Sequence, residues 1–177
     1  MEYFDREQLS VQKNKEAIDL AKGGNKDLAY EFFCDAINLN PEYPPPYYNL
    51  GNILMEKKFY IKAIENYKKS LILDKHNNNY KYKLGIAYAE SKEFKKSIKI
   101  LKEILKEDSS NLEILNNLGR LNKEINAYET SIKYFEKAIS INRNFHKPYI
   151  ELGILYGEIG QIEKSIKLLK KALKIKE

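Results

Sequence analysis

The sequence predicts an all-α chain of five stacked helix-turn-helix repeats of 34 residues, and three observations carry that prediction. A Leu-Gly pair recurs at Leu50-Gly51, Leu84-Gly85, Leu118-Gly119 and Leu152-Gly153, always 34 residues apart. Gly inside a helix costs about 1 kcal/mol relative to Ala, so four in register argue for a backbone approached too closely for a β-carbon. Apolar residues fall at spacings of three and four, which place them on one helical face, and the period-two alternation of a strand is missing.

Residues 1–9 read as an adapter or an early helical turn, with Tyr3, Phe4 and Leu9 available to cover the first helix. The first unit, about 10–43, is irregular: Ala17 stands where glycine is expected, and Lys13 and Glu16 replace the aromatic and the leucine. Terminal repeats are commonly atypical. The second unit, 44–77, gives the pattern in full, with Tyr47, Leu50, Gly51 and Leu54 on one helix and Ala63, Tyr67 and Ser70 on the next. Units 78–111, 112–145 and 146–177 repeat it without an insertion, through Phe94, Ser97 and Leu101, then Tyr128, Ser131 and Phe135, then Ile162, Ser165 and Leu169. Turns inside the units are expected at Gly23-Gly24, Lys57-Lys58, Ser91-Lys92, Asn126 and Gly160, and turns between them from Pro41 to Pro46 and near His76, Ser109 and Asn142. With no linker, residues 1–177 read as a single repeat domain.

This pattern resembles the tetratricopeptide repeat (TPR), in which an aromatic, Leu-Gly, Tyr, Ala, aromatic, Ala and Pro follow in that order. The resemblance covers residues 10–177 and implies a right-handed α-solenoid. Departures are Ser97, Ser131 and Ser165 for the first alanine, and Lys75, Ser109 and Arg143 for the closing proline. Serine preserves smallness, so close helix packing is expected to survive.

Composition narrows the function. Lys plus Arg is 31 against 25 Asp plus Glu, a net charge of +6, and the basic residues are mostly lysines at solvent-side helix positions. Cys34 is the only cysteine, which forbids an internal disulfide. The N-terminus has no basic segment followed by an apolar run, and no apolar window approaches about 18 residues, so the expected location is the cytoplasm and no membrane is expected as a partner. His76 and His146 have no metal-ligand spacing with Cys34 or with each other, and phosphate-cradling glycine loops are missing. The reading is a non-enzyme without catalytic residues, cofactor or metal. Pro44-Pro45-Pro46-Tyr47-Tyr48 contains two overlapping Pro-Pro-x-Tyr sequences that would suit a WW domain if extended, but proline also suits a first helical turn, the reading preferred here.

In tetratricopeptide proteins the first helices line a concave groove that holds an extended peptide or a partner helix. The resemblance therefore implies a partner-facing stripe of Asn14 and Ile18, then Tyr48, Asn52 and Met55, then Tyr82, Ile86 and Ala89. It continues through Asn116, Arg120 and Lys123 to Ile150, Ile154 and Gly157. On this division Leu50 and Gly51 face the companion helix while Asn52 faces the groove, so that Asn52→Ala spares the fold. The cationic clamp that some family members use for acidic tails is not reproduced, because the matching windows hold too few Lys and Arg. Asn49 and Asn117 are candidates to hold a peptide backbone.

A ladder of Glu56, Glu90, Glu124 and Glu158, also 34 apart, sits near the end of each first helix. Carboxylates there oppose the helix dipole. They are expected either to pair with lysines such as Lys57, Lys58, Lys92 or Lys123, or to select a basic or amphipathic partner. The leading function is a protein-interaction scaffold or adaptor. The alternatives are a structural subunit that self-associates weakly through the last helix, with Ile166, Leu169, Leu173 and Ile175, and a less favoured polyanion or RNA binder.

Overall fold

Residues 2–176 are described in a computed structural model, in which every regular element among them is an α-helix. The chain divides into two compact units, Met1–Glu93 and Phe94–Glu177. The first holds α1 (Glu2–Lys22), α2 (Lys26–Leu39), α3 (Pro44–Glu56), α4 (Tyr60–Leu73) and α5 (Asn78–Glu90). Here α1 pairs with α2 and α3 with α4, while α2 also touches α3 and α4 touches α5. The second holds α6 (Phe94–Glu107), α7 (Leu112–Glu124), α8 (Tyr128–Ile141), α9 (His146–Glu158) and α10 (Ile162–Lys176). In it α7 pairs with α8 and α9 with α10, and the contacts of α6 with α7 and α8 with α9 join the hairpins.

Because α1 starts at Glu2, the segment expected as an adapter is part of that helix. Leu9 is exposed rather than covering it, and the Tyr3 and Phe4 side chains lie outside the described residues.

The helices end where the backbone turns left-handed, at Gly24, Lys58, Lys92, Asn126 and Gly160, with φ of 88, 62, 63, 58 and 79°. These positions are again 34 apart. At each the following N–H reaches back over the last helical turn, as Phe59 does to the Leu54 carbonyl and Ala127 to that of Asn122, both at 2.8 Å. That bond satisfies a carbonyl the helix end would otherwise orphan. Glycine takes this conformation without cost, whereas Lys58 and Lys92 hold it against steric preference.

Between hairpins a second set recurs at the same interval: Asn40, Asp74, Asp108 and Asn142. Asn40, Asp108 and Asn142 each accept the N–H two residues on, from Glu42, Ser110 and Asn144 at 3.1, 3.1 and 2.9 Å. Asp74 instead accepts from the Asn77 side chain at 2.9 Å. Such Asx turns give the loop a hydrogen-bonded frame without the proline of the pattern. Asn77 and Asn111 then cap α5 and α7 by accepting from backbone N–H groups of the first turn. In unit 1, α3 starts at Pro44 and the Tyr47 hydroxyl donates to the Pro41 carbonyl at 3.2 Å, so both Pro-Pro-x-Tyr tyrosines are helical.

At Gly51, Gly119 and Gly153 a second-helix side chain presses on the first helix. A β-carbon at Gly51 would lie 2.6 Å from the Tyr67 ring, and one at Gly119 only 2.4 Å from that of Phe135. Both rings are fully buried. At Gly153 the neighbour is the Leu169 side chain, at 2.9 Å. Of the serines standing for alanine, Ser131 adds more than smallness: its buried hydroxyl donates to the Gly119 carbonyl at 2.7 Å, tying α8 to α7 beside that contact. Phe135, Leu152 and Leu155 then form a buried cluster, with Tyr128, Ile132, Ile139, Tyr156, Ile159 and Leu168 packed around it.

Candidate partner-binding faces on the first helices

In unit 1, α1 and α3 bring Ile18, Asn49, Asn52 and Glu56 to the wall of one cavity of about 320 Å³, with Ala21, Lys22, Lys26, Phe33 and Ile53. Its asparagines are already engaged. The Asn49 amide donates to Asn14 Oδ1 at 3.0 Å, and Asn14 is itself buried. Asn52 Oδ1 accepts the hydroxyl of Tyr67 at 2.8 Å. Burial lifts the Tyr67 phenol well above its ordinary range, with Tyr48 and Glu56 adding to the effect. Asn52 therefore serves the core as well as the face, which corrects the expectation that it only meets a partner.

Tyr48 is half-buried between two rings, with centroids 5.9 Å from Tyr67 and 4.9 Å from Tyr80. It belongs to an aromatic cluster that fixes α3 against α4 and α5. Met55, Tyr82, Ile86 and Ala89 are half-buried on α3 and α5.

In unit 2, Asn116 is 4 % exposed, and its Oδ1 has no hydrogen-bond partner. Asn117 beside it is half-buried. Arg120 pairs with Glu151 at 3.5 Å and Lys123 with Glu158 at 3.3 Å, each tying α7 to α9. On the same helix Ile150 and Ile154, one turn apart, are 36 % and 40 % exposed, and Gly157 follows them half-buried.

The glutamate ladder has two kinds of rung. Glu56 is paired with Lys26 and Glu158 with Lys123. Lys57, an expected partner for the ladder, instead pairs with Asp27, and holds that carboxyl below its usual range. Glu90 and Glu124 are exposed and have no ion pair among the described residues. Glu90 also lines a cavity of about 560 Å³ together with Lys58, Lys62 and Lys92.

The Lys123–Glu158 pair is among those expected for the ladder, but sequence reasoning missed two other ties between neighbouring repeats: Asn14 with Asn49, and Glu113 with Lys147 at 2.7 Å. Their intervals of 35 and 34 residues were the available signal. Among the described residues no cluster of His, Cys, Asp and Glu is arranged to hold a metal, and no helix is long and apolar enough to cross a membrane.

Tetratricopeptide-repeat family models match residues 44–77, 112–145 and 146–177, together more than half of the chain. No curated protein matches it by sequence. Among solved structures, a crystal structure of MamA is 24 % identical with a TM-score of 0.81, over 90 % of this chain and 94 % of that one. MamA 41-end from Desulfovibrio magneticus RS-1 is 16 % identical with a TM-score of 0.87, over 94 % of each chain. YrrB, described as a TPR protein with an unusual peptide-binding site, is 19 % identical with a TM-score of 0.78, over 94 % of this chain and 86 % of that one. These likenesses concern the fold. With three repeats matched directly and the glycine contacts repeating between hairpins, the chain belongs to the tetratricopeptide-repeat family, a family of protein-interaction scaffolds.

Proposed function

We propose that this chain is an adaptor whose first helices bind a peptide or helical segment of another protein. The observation that carries the reading is the pair Ile150 and Ile154, exposed one turn apart on α9, the helix that also carries Glu151 and Glu158 of the ion pairs to Arg120 and Lys123. Apolar anchors within a polar rim are what a partner segment desolvates at least cost. The peptide-binding site in the description of YrrB supports the same use of this fold. The unpaired carboxylate of Glu124, in the same unit as the isoleucines, favours a basic, amphipathic segment by charge complementarity.

Panning a displayed library of random 15-residue peptides tests this. Basic amphipathic sequences are expected to be enriched, and lost on Ile150→Ser/Ile154→Ser. Glu124→Lys should remove the basic preference while sparing the apolar one. Enrichment that survives the isoleucine changes contradicts the reading.

A second reading, weak self-association through α10, is favoured by Ile162, Ile166 and Leu173, which are exposed on its outer side. Light scattering that finds a monomer at high micromolar concentration contradicts it.

A further inference from the structure

We propose that the furrow between α8 and α10 is a second docking site, for an acidic peptide segment that also carries apolar side chains. The cavity there measures about 510 Å³ and lies wholly within unit 2. Its apolar wall is Ile139, Leu152 and Leu168, with Tyr149 and Tyr156 from α9. Four cations line it, Arg143, Lys164, Lys167 and Lys171, against the single carboxylate of Glu136.

Tyr149 supplies an independent observation. It is 2 % exposed, and its buried hydroxyl has no hydrogen-bond partner. A buried hydroxyl without a partner costs about 1–3 kcal/mol. Tyr149 lines the cation-lined cavity, and on our proposal docking shifts the side chains that cover its hydroxyl, so that an incoming carboxylate oxygen accepts from it and removes that cost.

The layout selects among anionic ligands. Lys164, Lys167 and Lys171 are spaced along seven residues of α10, about 10 Å at 1.5 Å per residue, so a lone small anion meets only part of the row. An extended acidic segment meets all of it. Lys164 and Lys171 lie over the rings of Tyr156 and Tyr149, each 5.0 Å from the centroid. One face of each ring is thus taken by an ammonium group, which makes the pair a poorer stacking platform for nucleobases. The aliphatic wall, by contrast, suits leucine-like side chains. The acidic segment this site takes is opposite in charge to the partner proposed for the first helices, and the site stands apart from that reading.

The test uses the full chain and a fluorescein-labelled 14-residue peptide with glutamates at spacings of three and four and leucines between them. Its controls are the same peptide with glutamine for glutamate and a 14-nucleotide oligouridine. The expected result is saturable binding by anisotropy, reduced about tenfold by Lys164→Gln/Lys167→Gln/Lys171→Gln and about threefold by Tyr149→Phe, which keeps the ring and removes only the hydroxyl. Equal binding of the glutamine peptide to the unaltered protein overturns the proposal, as does unchanged affinity in the triple variant. Tighter binding of oligouridine than of the acidic peptide overturns the choice of a peptide.

Discussion

The hairpins α3–α4 and α7–α8 carry the same packing device with different consequences for their outward faces. In the first, Gly51 receives the Tyr67 ring, and the hydroxyl of that ring consumes Asn52 Oδ1. In the second, Gly119 receives Phe135, which has no hydroxyl to satisfy. The position equivalent to Asn52 is then Arg120, which turns to Glu151 on α9. One oxygen atom in the core therefore decides whether the adjoining surface residue is held inward or released to link the next repeat. Buried polar groups need partners, and the nearest candidate is a residue that a groove would otherwise use.

The largest break in this comparison comes from the glycines themselves. Gly119→Val forces a branched side chain onto an immobile, fully buried ring and should cost about 1–3 kcal/mol or more in urea unfolding. Gly153→Val should cost less, because Leu169 is half-buried and flexible and can give way. Equal losses at the two sites would mean that ring rigidity does not matter.

Next in size, Asn52→Ala should destabilise by about 1–3 kcal/mol by orphaning the Tyr67 hydroxyl. Arg120→Ala, which breaks only an exposed ion pair, should stay within about 1 kcal/mol. Thermal melts of the two variants side by side sharpen the contrast.

Alkaline pH gives a smaller effect. The folded chain raises the Tyr67 phenol above its ordinary 10.0. The associated stability is therefore fully present below pH 10 and is lost as pH rises toward the folded value, since the unfolded chain ionises first. Tyr67→Phe should flatten the decline in melting temperature above pH 10, leaving the part due to tyrosines such as Tyr80 that burial also raises. The smallest expected effect is a gain: Lys58→Gly, at φ 62°, should stabilise by about 0.5–1 kcal/mol in the same melts.

The fold was legible because its main signals share one period. Leu-Gly pairs, small residues and helix ends each recur every 34 residues, and the glycines do mark close contacts at Gly51, Gly119 and Gly153. Some in-register signals were present but unread, among them the Asx turns at Asn40, Asp108 and Asn142. The faces were less legible because helical periodicity gives a residue's direction but not its partners. Asn52 points where its register implies, yet a hydroxyl fifteen residues away claims its oxygen. Glu56 and Glu158 stand in one ladder with Glu90 and Glu124, but only the first two find cations, since Lys26 and Lys123 lie outside the repeating set. The basic furrow beside α10 escaped notice for a similar reason: its cations come from one helix and from the turn after another.

The most direct test is a double-mutant cycle between Asn52 and Tyr67, read by urea unfolding. If Asn52 is held by the core, Asn52→Ala should be strongly destabilising alone and much less so in a Tyr67→Phe background, with a coupling of about 1 kcal/mol or more. Strictly additive losses would contradict the account, because they would mean that the surface position and the buried ring act independently.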